Sequence, residues 1–262
     1  MSGGLEKTGH HYFSLIEAVG RMGLFLLQCL FRAATPPVKL YPVVQQIHFI
    51  GARSSWVVVT AGLFTGMVVA LQFYDTLVRF GSVDLLGSAV ALSLIRELGP
   101  VITALMVTGR AGSAICAEIG IMRISEQIDA LECMGIDPYR FFLTPKLLAG
   151  LVAVPVLTIL FDLAGLVGGW FVGVVLFGVG EGTYVQGLRG GIEWNDVAMG
   201  LVKSIVFGGL IVWFCAAKGY FLHYERAGAF GPEGVSRVTT NAVVLSSVSV
   251  LFADYLIGSL ML

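Results

Sequence analysis

The hydrophobic pattern along the chain is dominated by long continuous apolar runs rather than by alternation. Runs near 54–74, 85–122, 145–180, 197–220 and 238–262 are each long enough to cross a bilayer, for which about 20 apolar residues suffice. Continuous runs predict helices, since a membrane-spanning barrel would show short segments of period two. Before them, residues 11–34 are apolar except that Glu17, Arg21, Gln28 and Arg32 share one narrow helical arc. Such a stripe predicts a helix lying in the membrane surface and ending before Pro36 and Pro37, with a true first span as the alternative. Between the second and third runs stands "SEQIDALECMGIDP", Ser125 to Pro138, a short acidic helix predicted over 125–135. Ser125 reads as its N-cap, Glu126 and Asp129 as first-turn carboxylates, and Gly135 as the C′ residue. Ile124, Ile128 and Leu131 fall on one side, while Glu126, Gln127, Asp129 and Glu132 occupy the rest, so the helix would rest on a membrane domain and show carboxylates outward.

Two of the runs exceed one upright crossing, and splitting either would invert the topology after it. Basic residues decide. With five single spans and the amino terminus inside, the cytoplasmic segments hold ten (Lys7, Arg21, Arg32, Lys39, Arg53, Arg123, Arg140, Lys146, Arg226 and Arg237) against two outside, Arg79 and Arg189. The expected organisation is therefore a cytoplasmic amino-terminal segment over 1–53 and a transmembrane domain over 54–262.

Composition agrees: 56% hydrophobic and 13% charged residues, 34 glycines and a mean hydropathy of +0.87 define an all-α integral membrane protein. The net charge of −1 and the scattered basic residues give no reason to expect nucleic acid. Cys29, Cys116, Cys133 and Cys215 are too far apart for a disulfide framework or a metal site, and the four histidines lack ligand spacing. No phosphate-binding loop, nucleophile elbow, H-E-x-x-H or C-x-x-C occurs, so the chain has no motif of its own for using ATP and no bound cofactor is expected. No short apolar stretch with a small-residue cleavage site opens the chain, which predicts that the spans themselves direct insertion.

Polar groups inside the runs carry more information, because charge in a bilayer is expensive and faces a partner or a cavity. "LIRELGP" places Arg96 and Glu97 just before Gly99 and Pro100, with Lys203 of the fourth run as the candidate partner of Glu97; a structural ion pair is the plainer alternative to a translocation role. Small residues recur every four positions in Gly62-Gly66-Ala70, Gly109-Ser113-Ala117, Gly165-Gly169-Gly173 and Gly200-Ser204-Gly208, faces suited to close packing within the chain or at a dimer seam. Past Ala70 a strip of Val69, Phe73, Leu77 and Phe80 lies beside Gln72, Thr76 and Arg79, which suits an amphiphile as well as it suits a helix contact.

The stretches "ALSLIRELGPVITALMVTGRAGSAICAEIGIMRISEQIDALECMGIDP", "GLVKSIVFG" and "GVSRVTTNAVV" resemble the MlaE/YrbE permeases of Mla-type lipid-transport ABC systems, over most of the chain. The resemblance implies an inner-membrane homodimer of five-span subunits, each with an amino-terminal interfacial helix on the cytoplasmic side. It also implies two cytoplasmic ABC ATPase subunits that supply ATP and Mg, a STAS-domain protein, and a periplasmic MCE-domain hexamer, together moving phospholipid to maintain outer-membrane lipid asymmetry. By position, Glu126, Gln127, Asp129, Glu132 and Asp137 would couple to the ATPase; Val69, Gln72, Phe73, Thr76, Leu77 and Phe80 would line a lipid pocket; and Arg96, Glu97 and Lys203 would lie in or near the translocation path. The segment 221–234 matches the family pattern least and is assigned nothing. An ion-coupled carrier or channel using Arg96, Glu97 and Lys203, and a membrane-embedded lipid-modifying enzyme, are the competing readings; neither accounts for the acidic helix.

Overall fold

A computed structural model describes residues 17, 20–33, 35, 40–224 and 231–261, and among these every regular element is helical. Helix α1 covers residues 20–33. Five long helices follow the apolar runs: α2 (Leu40–Arg79), α3 (Val83–Ile124), α5 (Tyr139–Leu176), α7 (Trp194–Tyr220) and α8 (Pro232–Met261). Two short helices, α4 (Gln127–Cys133) and α6 (Glu181–Gly191), sit in the connections. Both overlong runs are single helices, so the five-span count stands. The part of the amphipathic stretch before residue 20, apart from Glu17, and the loop over 225–230 lie outside the described residues.

The first span begins at Leu40 rather than near residue 54, so the 53/54 boundary falls inside a continuous helix. Its Leu40–Ile47 segment reaches Arg53 through a π-helical turn, His48–Ala52, which accommodates an extra residue without ending the helix. Hydropathy missed this start because Gln45, Gln46 and His48 dilute the apolar signal. Similar wide turns occur in α3 at Leu94–Leu98 and Thr108–Gly112, and at both ends of α5. Pro100 follows the first of these turns at the start of a fresh α-helical segment, where a missing N–H is tolerated.

Helices α5 and α7 form the centre, with α2 packed along α5, and α3 and α8 against α7. Without a hydrophobic force between helices in lipid, close backbone approach supplies much of the attraction. A Cβ at Gly66 would collide with the carbonyl of Gly165, and one at Gly208 with the carbonyl of Gly150. Three of the four small-residue rows are thus consumed within one chain, whereas Gly109, at the head of the fourth, is exposed. Helix α1 lays Phe25 and Cys29 against the bundle and exposes Leu24, Leu27 and Phe31, as an interfacial helix should. Trp213 of α7 ties it down by donating to the Met22 carbonyl at 2.8 Å.

Gly66→Val should cost at least about 1–3 kcal/mol by forcing α2 off α5, while Gly109→Ala, with nothing within 4 Å of the added carbon, should leave stability unchanged. Thermal unfolding of the detergent-solubilised variants checks this, and equal melting temperatures for the two would disprove the α2–α5 contact.

Candidate functional site

Lys203 lies fully buried on α7, and an ammonium in that setting must be matched by charge. Its Nζ donates to Glu97 Oε2 at 2.6 Å and to the Arg96 carbonyl at 3.1 Å. A second carboxylate, Asp254 of α8, completes the site at 2.9 Å as an ion pair. Arg96 turns away to Asp196 at the start of α7, 3.5 Å from its Nε. The anticipated Glu97–Lys203 pair therefore exists, but Arg96 is a neighbour with its own partner. The cluster joins α3, α7 and α8 and contains three carboxylates against two cations. Glu97 remains 47% exposed in the single chain, so the cluster opens onto the protein surface.

Two further polar ties escaped the sequence reading. Lys146, counted there among the basic residues of the cytoplasmic segments, is 1% exposed and donates to Glu118 Oε2 at 2.7 Å and Gln46 Oε1 at 3.3 Å, binding α5 to α3 and α2. Arg110 donates to Ser54 Oγ at 2.7 Å and to the Phe49 carbonyl at 3.4 Å. That carbonyl belongs to the wide turn of α2, and Arg110 sits in a wide turn of α3, so a side chain from one irregular turn meets a carbonyl of the other. Asp162, the lone acidic residue of the third run, packs its Oδ1 onto Gly99, where a Cβ would displace it.

The strip on α2 divides by side. Val69, Phe73 and Leu77 are half-buried against the protein's own core, while Gln72, Thr76 and Phe80 are exposed. Tyr74, on the same stretch, stacks on Phe177 with centroids 4.0 Å apart, which holds this end of α2 to the end of α5.

Helix α4 differs in detail from its sequence expectation. Ser125 is not its N-cap: the hydroxyl donates back to the Ile121 carbonyl at 2.7 Å and closes α3 instead. Glu126 takes the N-cap position with φ 56°, the one non-glycine left-handed residue among those described, and this reverses the chain between α3 and α4. Gly135 does occupy C′, with φ 74°, and paired bonds from Gly135 N to Glu132 O and Ile136 N to Leu131 O end the helix. Ile128 is fully buried beneath it. Asp129 accepts from Arg123 Nη1 at 2.7 Å, and Glu132 accepts from the Tyr220 hydroxyl at 3.5 Å. Asp137 accepts from the Tyr139 backbone N–H at 3.1 Å and pairs with Arg32 Nε at 3.0 Å, so it fixes the start of α5. Three of the five carboxylate and amide side chains expected to face a partner thus have internal partners as well, although Asp129 and Glu132 stay exposed alongside Glu126 and Gln127. Burial and the adjacent Arg123 guanidinium hold the His223 imidazole below its ordinary pKa, and its Nδ1 accepts from Arg123 Nε at 3.1 Å. Among the described residues no three His, Cys, Asp or Glu side chains gather as metal ligands would.

The family described as Permease MlaE matches residues 43–260. The chain is 39% identical over 260 residues to the intermembrane phospholipid transport system permease protein MlaE of Haemophilus influenzae, covering 98% of this chain and 97% of that one. It is 38% identical over 255 residues to a probable ABC transporter permease protein of Rickettsia bellii, covering 97% and 96%. The chloroplastic protein TRIGALACTOSYLDIACYLGLYCEROL 1 of Arabidopsis thaliana is 33% identical over 215 residues, 82% of this chain and 60% of its own length.

Removing one member of a buried charge pair strands the other at a cost of about 3–5 kcal/mol. Lys203→Met should therefore destabilise the protein by that order, and adding Glu97→Gln and Asp254→Asn should recover most of the loss. Thermal unfolding of the single, double and triple variants gives the couplings, and purely additive losses would mean that the three side chains do not interact.

Proposed function

The chain belongs to the MlaE permease family, and from that membership we propose that it is the membrane-spanning subunit of an ATP-driven phospholipid transporter. In this reading it is a bacterial inner-membrane protein with its amino terminus in the cytoplasm and works as a homodimer. Cytoplasmic ABC ATPase subunits hydrolyse ATP with Mg, a STAS-domain protein accompanies them, and a periplasmic MCE-domain hexamer exchanges phospholipid with the permease. The process served is maintenance of outer-membrane lipid asymmetry. The name of the Haemophilus influenzae relative, an intermembrane phospholipid transport permease, supports the substrate class.

The observation that carries the ATP-driven reading is the attachment of α4. A surface helix seven residues long would ordinarily be a soft contact, yet this one is held by a buried Ile128, the Arg123–Asp129 pair and the Tyr220–Glu132 bond. Force applied to its exposed side at Glu126 and Gln127 passes directly into α3 and α7, which carry Glu97 and Lys203. The exposed edge of that cluster supports the dimer: a carboxylate 47% exposed at membrane depth needs a polar covering that acyl chains do not supply. A second copy facing it would enclose a cleft whose wall includes the α2 strip from Val69 to Phe80, with apolar groups for acyl chains and Gln72 and Thr76 near the head. The same cluster, two carboxylates on one lysine, is what favours the second reading, an ion-coupled carrier. Lipid movement in proteoliposomes driven by a pH gradient with no ATPase present would decide for it.

Two outcomes follow from this function. Reversing the exposed side of α4 with Glu126→Arg and Gln127→Arg should weaken co-purification with the co-expressed ATPase by about tenfold or more, as mismatched interface charge does, without lowering the melting temperature of the permease. Retention of the ATPase at the normal ratio would refute the coupling role. A photo-crosslinking residue at Phe80 should capture phospholipids of several head-group classes, because each buried methylene contributes about 0.8 kcal/mol and hydrophobic contact dominates. Labelling no stronger than at Val248, on the outward face of α8, would remove the pocket.

A further inference from the structure

Where α1 ends, α2 begins and α5 begins, the helices leave a cavity of about 420 Å³ lined by Arg32, Tyr41, Gln45, Arg140, Phe141 and Thr144, among others. Among the described residues its polar part carries two guanidinium groups against one carboxylate, Asp137, a local excess of one positive charge. Arg32 pairs with Asp137 through Nε at 3.0 Å and keeps 45% of its side chain exposed. Arg140 donates through Nη2 to the Thr35 carbonyl and hydroxyl at 3.2 and 3.1 Å. Thr144, only 2% exposed, brings a buried hydroxyl with no hydrogen-bond partner to this wall. Such a group costs free energy unless something accepts from it or donates to it. The apolar part continues outward: Tyr41 and Phe141 on the cavity wall, and Leu40 and Val44 beside it, are exposed by 80%, 55%, 75% and 62%.

We propose that this cavity binds an anionic phospholipid of the leaflet on the α4 side, its phosphate beside Arg32, Arg140 and Thr144 and its acyl chain along Tyr41, Val44 and Phe141. The chemistry matches each part of the wall. A phosphate oxygen accepts from guanidinium N–H groups and from a hydroxyl, the charge excess favours a net negative head over a zwitterionic one, and the position is right for the boundary between head groups and acyl chains. The level follows from the helices. Arg32 ends an interfacial helix, and Tyr41 and Phe141 stand within the first turn of long spans, so the phosphate would sit where a bilayer keeps its phosphates. The site is separate from the α2 strip, which lies at the other end of α2, and it does not depend on the transport reading. A lipid held there would bridge α1 to the first turns of α2 and α5, contributing to the seating of α1 in addition to the Trp213 bond.

The test uses the full-length chain with a photo-crosslinking residue at Tyr41 or Phe141, reconstituted in vesicles of equal phosphatidylglycerol and phosphatidylcholine. Each basic residue at a membrane surface is worth about fivefold in binding an anionic lipid, so phosphatidylglycerol adducts should exceed phosphatidylcholine adducts by about fivefold or more. Arg32→Gln with Arg140→Gln should abolish the preference, while capture by a probe at Phe80 stays the same. Equal capture of the two lipids by the unaltered protein overturns the proposal whether or not the double variant folds, and so does capture of protein in place of lipid. Glycerol phosphate at millimolar concentration should compete poorly; if it displaces the lipid adducts fully, the cavity takes a free anion and not a phospholipid.

Discussion

The fold depends on matching the buried Lys203 ammonium with carboxylates from neighbouring helices. Helix α7 is about 40 Å long against about 30 Å of hydrocarbon, which sets Lys203, nine residues from its start, inside the apolar layer. A carboxylate from α3, another from α8 and a backbone carbonyl must all arrive at one nitrogen, so three helices have a single mutual register. Lys146 imposes the same requirement on α2, α3 and α5 nearer the opposite face. Helix α3 belongs to both clusters through Glu97 and Glu118, and it ends where Arg123 grips α4. One continuous rod therefore connects the surface helix to the two sites at which the other spans are registered.

A rod that long satisfies its partners by departing from ideal geometry. The wide turns at Leu94–Leu98 and Thr108–Gly112 each shift the following residues around the axis. The first falls across Arg96 and Glu97 themselves, and the second contains Arg110. In lipid, a loosened backbone carbonyl cannot turn to water, and the Arg110 bond to Phe49 shows how the protein meets that condition with a side chain from a neighbouring helix. Glycine contacts complete the arrangement, since α2 could not approach α5 closely enough with a methyl group at residue 66.

These features explain what was legible in advance. Spans were legible because bilayer thickness fixes their length, and the unsplit topology because basic residues cluster between particular spans. The Glu97–Lys203 pair was legible because a cation in a span needs an anion and few were on offer. Asp254 was missed: it stands alone in its run, and nothing local relates it to a lysine 51 positions earlier. Arg110 and Lys146 were missed because helical periodicity fails across wide turns and because a charge near a span end looks solvated until the neighbouring helices are placed. Ser125 misled for a related reason, since a serine between two helices can end one as readily as start the next, and the left-handed Glu126 that settles the matter leaves no trace in composition.

The two lysine clusters differ in charge balance and in what covers them. Lys146 and Glu118 balance each other, one buried cation against one half-exposed carboxylate. That pair is electrically balanced within one chain. At the other cluster, Arg96 and Lys203 face Glu97, Asp254 and Asp196, an excess of one negative charge, and the exposed carboxylate lies within the apolar layer. An ionised group there cannot stand against acyl chains without a cost of several kcal/mol. Relief has to come from outside the chain, from another polypeptide, a lipid head or water. The Lys146 pair is thus balanced without further covering, whereas the energy of the Lys203 cluster changes with whatever covers Glu97.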